Sequence, residues 1–364
     1  MNRRRELTDL TACRALFALW VFAYHVNLQV EYAHWLGPLA PVIAHGYLGV
    51  DGFFILSGLL LTRVDQDIPF SLRGAMRFWG KRLARIYPVH LAVIVLLGVL
   101  FLAGKAAGVT PREPARFSGV ALLCHLLLVQ GWGTLDHWAW NYPSWSISTE
   151  WAGYLLFPLM IAASRTFYQA AFVVSLPLCF TVLALVAWAF GGLNLTFGVS
   201  LLRFFPEFIA GMATAVFIPF VADEAPNRTL ALGGAGVALI FAVTGHDAMT
   251  VFGLWLMLFG LGMHGDAGLP ASLGAIRPLR AMGVLSYAFY MSFAPAELMT
   301  AQLFRHLGIA RAAAPLAVAG ALVALTAGLA VLLHLLVEKP ARIAFNRRLD
   351  PERAAALAEG SVAL

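Results

Sequence analysis

The feature that most constrains this chain is a succession of long apolar runs, each closed by a few polar, basic, Pro or Gly residues. The runs fall at about 10–30, 46–62, 86–104, 150–164, 170–191, 198–220, 229–246, 249–264, 279–300 and 313–336. A helix needs about 20 apolar residues to cross a bilayer core, whereas a barrel strand needs only about ten. Helices and closed barrels are the structures that satisfy their backbone groups in lipid. These runs have helical length, so the expected fold is all-α: a polytopic membrane helix bundle of about ten transmembrane helices. The 12% of charged residues agrees, being about half the share in a soluble domain. A weaker run at 118–131, "SGVALLCHLLLVQG", is short for a span and is expected to be re-entrant or interfacial.

Basic residues give the orientation. "MNRRR" and the segment 63–85, dense in Lys and Arg, are expected on the cytoplasmic side, as is "EKPARIAFNRR" near the other end. Counting spans inward from both ends agrees only if 118–131 does not cross, which leaves 105–149 as an outer loop and both termini cytoplasmic. The first run lacks a small-residue cleavage site and contains Arg14, so it is expected to stay as a span. Residues 1–342 then form one membrane domain, and 343–364 a short, disordered cytoplasmic tail. The net charge of +6 follows from basic short loops. Lipid is therefore the expected partner, and nucleic acid is not. Cys13, Cys124 and Cys179 all sit in apolar runs and read as buried thiols, not as a disulfide framework or metal site.

Ionisable groups inside spans are functional suspects. Arg14 and His25 are eleven residues apart in the first run. Eleven residues turn a helix by about three turns plus 20° and rise about 16 Å, so the two side chains share a face. His25 is expected deep, toward the outer side, with Asp51 in "GYLGVDGFFILSG" and Glu150 in "PSWSISTEW" at a similar depth. A histidine beside a carboxylate in a dry site suits general-base work; the competing reading is a polar cluster that holds helices together. Arg82 and Arg85 in "GKRLARIYP" are three apart, on one helix face at the inner surface. They are positive-inside anchors, lipid-headgroup ligands or a rigid phosphate clamp. The glycines at 46, 49, 52 and 58 allow close helix packing or passage of a long substituent. Trp145 reads as an interfacial anchor or a sugar platform, with Ser146 and Ser148 beside it. His90, His125 and His334 read as lone structural histidines.

Taken in order, Arg14 and His25, "GYLGVDGFFILSG", "KRLARIYP", "WSISTE", "GVLSYAFY" and "VEKPAR" resemble the acyltransferase-3 family of membrane O-acyltransferases, over residues 14–342. The resemblance implies about ten spans in a bacterial inner membrane. It also implies transfer of an acetyl or other short acyl group from cytoplasmic acyl-CoA to a hydroxyl, most often on a surface polysaccharide. No bound cofactor is implied; acyl-CoA is the donor substrate. On this resemblance Arg14, Arg82 and Arg85 hold the donor and His25 is the catalytic group. Glu150 and Asp51 orient or balance His25, and Trp145, Ser146 and Ser148 line the acceptor pocket. The chain departs from the family where Phe293 stands near a common histidine, and where "WAG" follows Glu150. A carrier of sugars or acyl precursors, or a polymer-assembly subunit, is the competing class.

Overall fold

The computed structural model describes residues 3–109, 114–166, 168–221, 227–263 and 273–349; the expected tail lies outside them from residue 350 on. Among the described residues the chain is helical, without strands. The helices are α1 (Arg3–Val30), α2 (Ala40–Ala44), α3 (Gly49–Asp65), α4 (Leu72–Ala106), α5 (Gly119–Leu126), α6 (Trp145–Thr166), α7 (Tyr168–Phe190), α8 (Ser200–Val221), α9 (Asn227–Thr244), α10 (Asp247–Gly262), α11 (Arg277–Met291), α12 (Phe293–His306), α13 (Pro315–Leu333) and α14 (Lys339–Leu349). Short 3-10 turns and one π-helical turn, His334–Glu338, connect some of them.

Among the described residues, five stretches are long and apolar enough to cross a bilayer: Tyr32–Asp65, Leu72–Ala106, Val173–Phe190, Ser200–Val221 and Pro315–Phe345. Two apolar helices, Arg228–Thr244 and Asp247–Gly262, are shorter. Large apolar side chains such as Val99, Leu178, Trp188, Leu239 and Leu316 point outward. A soluble surface rarely carries that much exposed hydrocarbon, and the chain is a multi-pass membrane protein. The run at 118–131 holds α5, only eight residues long. It rises about 12 Å, less than half the thickness of a bilayer core.

The chain divides into two compact units. Unit 1 comprises Met1–Gln66, Met160–Ser286 and Arg311–Ala319; unit 2 comprises Asp67–Leu159, Tyr287–Ala310 and Gly320–Leu364. The core of unit 1 joins Leu10, Cys13 and Phe17 of α1 to Ile55 and Leu59 of α3, Ile218 of α8 and Leu254 and Leu258 of α10. The glycines of α3 and its approach serve this packing. A Cβ on Gly46 would lie 2.5 Å from the Trp20 carbonyl oxygen, one on Gly49 2.7 Å from that of Phe17, and one on Gly58 2.0 Å from that of Phe208. Gly211 of α8 answers on the other side, 2.0 Å from the Ile55 oxygen. At these crossings backbone meets backbone, as small residues permit. Gly58→Leu is expected to lower stability by about 3 kcal/mol or more, the upper range of overpacking, because no rotamer change relieves a backbone clash. At Gly52→Ala the nearest atoms are those of the Phe17 ring, a side chain and not backbone, and the cost should be less. Thermal melting of the detergent-solubilised protein, followed by size exclusion, checks the order.

Two boundaries differ from the sequence expectation. The span expected to begin at 86 is part of α4, which starts fourteen residues earlier, where the Ser71 hydroxyl caps Gly74 N at 3.1 Å. The run 279–300 is broken between α11 and α12 at Ser292. Pro295 has no N–H to offer the Met291 carbonyl. Asn141 Nδ2 donates to that oxygen at 3.4 Å, and the Ser292 hydroxyl donates to the Ala288 oxygen at 2.7 Å.

Candidate active site

In unit 1, α1 is one helix from Arg3 to Val30, so Arg14 and His25 stand on a shared face as expected. Both are half-buried, while Ala15, Phe17, Ala18 and Val21 between them are buried in the core. The helix thus fixes the distance between a cation and an imidazole by its own rise, about 16 Å, and packing holds the helix.

Asp51 lies in the first turn of α3, fully buried. Both of its oxygens take the guanidinium of Arg203 in α8, with Nε donating to Oδ1 at 2.8 Å and Nη2 to Oδ2. Arg203 Nη2 also donates to the Tyr47 carbonyl at 3.1 Å, and the guanidinium lies over the Tyr47 ring. Glu207, four residues on, is fully buried within electrostatic range of Asp51 and Arg203. The charge that Asp51 balances in this arrangement is that of Arg203. Arg203 and Glu207 were not among the expected site residues. Their signal was present as two opposite charges at i and i+4 in the apolar run "LLRFFPEFIAG".

In unit 2, Tyr154 of α6 donates to Glu150 Oε1 at 2.5 Å, and Trp79 Nε1 of α4 donates to the Tyr154 carbonyl at 3.0 Å. Phe78 stacks on Phe157 and carries the Arg82 guanidinium 5.2 Å above its ring. Tyr154 lies within electrostatic range of Arg82 and Arg85. Tyr287 of α11, whose hydroxyl donates to the Ile86 carbonyl, lies within range of Glu150, Glu338 and Arg85. Glu150 and the arginine pair therefore share Tyr154, and Glu150 and Arg85 also share Tyr287. The arginine pair and the glutamate, expected at different depths, both lie within electrostatic range of Tyr154 in this unit. α4 begins at Leu72, so Arg82 and Arg85 stand about three turns into the helix.

Trp145, Ser146 and Ser148 open α6 and are all buried. The Ser148 hydroxyl donates to the Leu128 carbonyl at 2.8 Å and accepts from Gly131 N at 3.0 Å. Trp132 Nε1 donates to the Ser148 carbonyl at 2.8 Å, and Gln130 Nε2 donates to Ser144. Ser148 thus fastens the turn after α5 to the start of α6. Ser146 Oγ is 3.2 Å from the Pro143 oxygen and 3.3 Å from the Tyr290 hydroxyl. Phe293 is buried against Phe289 and Tyr290.

The three histidines expected to stand alone have company. His90 Nε2 bonds the His125 carbonyl at 2.8 Å, and the two rings lie 6.2 Å apart and nearly parallel. His334 Nδ1 bonds Glu338 Oε2 at 2.8 Å across the π-helical turn, with Arg342 3.9 Å from the other oxygen. Among the described residues, no three His, Cys, Asp or Glu side chains are grouped to hold a metal ion.

A family model described as an acyltransferase domain matches residues 7–335. An acyltransferase of Streptomyces mycarofaciens, MdmB, is 34% identical over 185 residues, covering 48% of this chain and 46% of its own length. The O-acetyltransferase OatA of Staphylococcus aureus (strain NCTC 8325 / PS 47) is 23% identical over 317 residues, 80% of this chain and 50% of its own. The chain thus spans about half the length of these curated relatives. No solved structure matches significantly.

Proposed function

The chain belongs to the acyltransferase-domain family, matched over residues 7–335, and from that premise we propose that it is a membrane O-acyltransferase using acyl-CoA as donor. The acceptor is a hydroxyl on the far side of a bacterial inner membrane, on a cell-surface polysaccharide sugar. Both termini are cytoplasmic and the chain crosses about ten times. The observation that carries the reading is the placement of Arg14 and His25 on one face of an unbroken α1, within a chain of this family. The distance between them, about 16 Å, is comparable with a pantetheine arm.

In the reaction His25 takes the proton of the acceptor hydroxyl. Its oxygen attacks the thioester carbonyl, the C–S bond breaks, and CoA leaves as the thiolate, which recovers the proton. A positioned base of this kind contributes about 10²–10⁴ in rate. Arg82 and Arg85 take the donor's phosphates, a task that favours the planar guanidinium fork over lysine. Arg14 holds the donor along α1. Trp145 and Ser146 give an aromatic face and a hydroxyl to the acceptor; Glu150, bonded by Tyr154, is the carboxylate of that unit. Asp51 and Ser148 position helices: each is bonded to Arg203 or to backbone, respectively.

The test is release of CoA thiol by the purified chain in lipid nanodiscs, with acetyl-CoA as donor and methyl glycosides as acceptors. Thiol release that grows with the glycoside supports the reading; absence of thiol release under every acceptor condition contradicts it. In the same assay Arg82→Ala with Arg85→Ala should raise the apparent KM for acetyl-CoA at least tenfold with the acceptor KM little changed, and lysine at both sites should restore only part. An unchanged donor KM would leave the pair as positive-inside anchors.

A further inference from the structure

One end of unit 1 carries a second polar constellation, at the start of α10. Asp247 Oδ2 accepts from the Tyr47 hydroxyl at 2.7 Å and from Leu193 N at 2.6 Å. The Asp247 side chain is only 4% exposed, and its Oδ1 has no hydrogen-bond donor. Facing Oδ1 at 3.8 Å is His45 Nε2. The other ring nitrogen, Nδ1, lies 2.8 Å from the Pro41 carbonyl. A carbonyl only accepts, so Nδ1 carries the proton, and in the neutral imidazole Nε2 is left with a lone pair. With the ring neutral, two acceptors face each other, and Asp247 Oδ1 is without a hydrogen-bond donor.

The pair reaches the surface on its His45 side, while Asp247 Oδ1 is covered. His45 is 21% exposed, and Asn194, which donates to the Tyr24 hydroxyl at 3.3 Å, is on the surface. The Tyr24 ring meets the rings of both Tyr47 and His25 edge-on, at 5.6 and 5.4 Å. Aromatic faces with hydrogen-bonding edges suit a ligand that is apolar on one side and hydroxylated on the other. Two acceptors 3.8 Å apart match two adjacent hydroxyls, one proton for each.

We propose that His45, Tyr47 and Asp247, with Tyr24 beside them, form a subsite for the vicinal diol of a sugar-like acceptor. Its role in catalysis rests on the acyl-transfer reading above; its binding of diols does not.

Saturation-transfer NMR on the full chain in nanodiscs tests the binding, with trans-1,2-cyclohexanediol, trans-1,4-cyclohexanediol and methyl α-glucopyranoside as probes. The 1,2-diol and the glycoside should give saturable signals and compete, and the 1,4-diol should not. Asp247→Asn keeps an oxygen for Leu193 N and turns an amide donor toward His45 Nε2. It fills the need for a donor internally and should weaken binding about tenfold, the scale of one charge-assisted hydrogen bond. His45→Phe keeps the ring volume and should weaken binding similarly. No saturable binding of the 1,2-diol to the unmodified chain would overturn the subsite, as would binding that both variants leave intact. A chain that binds the diol but releases no CoA thiol would keep the subsite and lose the proposed function. Thiol release with no diol binding would do the reverse.

Discussion

His25→Ala should lower acyl transfer by about 10²–10⁴-fold, the contribution of a positioned general base, while the chain still folds and inserts. The structural cost is small because His25 is half-buried near the end of α1 and the helix continues to Val30. The buried packing of that helix rests on Ala15, Phe17, Ala18 and Val21, which the substitution leaves in place. His25→Gln separates chemistry from structure. Glutamine keeps much of the volume and a hydrogen-bonding edge but cannot take a proton near neutral pH. It should be as inactive as alanine and melt like the unmodified chain. Full activity in either variant would remove His25 from the chemistry.

The largest expected effect on stability comes from Arg203. Its guanidinium and Asp51 are both fully buried, with Glu207 alongside. Removing one partner of a buried pair leaves a charge without compensation, at about 3–5 kcal/mol. The two sides are not equivalent here. Asp51→Ala leaves Arg203 next to Glu207, which takes over part of the pairing. Arg203→Ala leaves two carboxylates together with no cation, so one must be protonated to stay inside. Arg203→Ala should therefore be the more damaging, and replacing all three with Leu and Met should recover much of the loss, since apolar packing is a good substitute for buried ions. Melting temperatures of the single and triple variants test the order. Equal losses for Asp51→Ala and Arg203→Ala would mean that Glu207 takes no part.

Helix positions were legible in the sequence because an apolar run of membrane length has one way to satisfy its backbone. The Arg14–His25 face was legible because it depends on helix pitch alone. What escaped depends on contacts between distant residues. Asp51 was visible, but its cation is 152 residues away in sequence. The break at Ser292 was hidden in a continuous run, although Pro295 marked it; the amide that makes it affordable belongs to Asn141, 150 residues earlier. The early start of α4 was hidden because the apolar run begins only at 86, whereas Ser71 caps a helix that begins fourteen residues before it. His90 and His125 could not be paired from sequence, since their contact spans 35 residues and an intervening turn.

The central claim is that an acyl group leaves CoA on one side of the membrane and joins a hydroxyl on the other, through His25. It is tested most directly in sealed inside-out vesicles holding methyl α-glucopyranoside, given acetyl-labelled CoA outside. The predicted result is labelled ester on the enclosed glycoside, with an equal amount of CoA thiol outside, and neither in vesicles of the His25→Ala variant. Intact labelled CoA inside the vesicles without thiol release would make the protein a carrier. Ester formation that persists in the His25→Ala variant would contradict the mechanism.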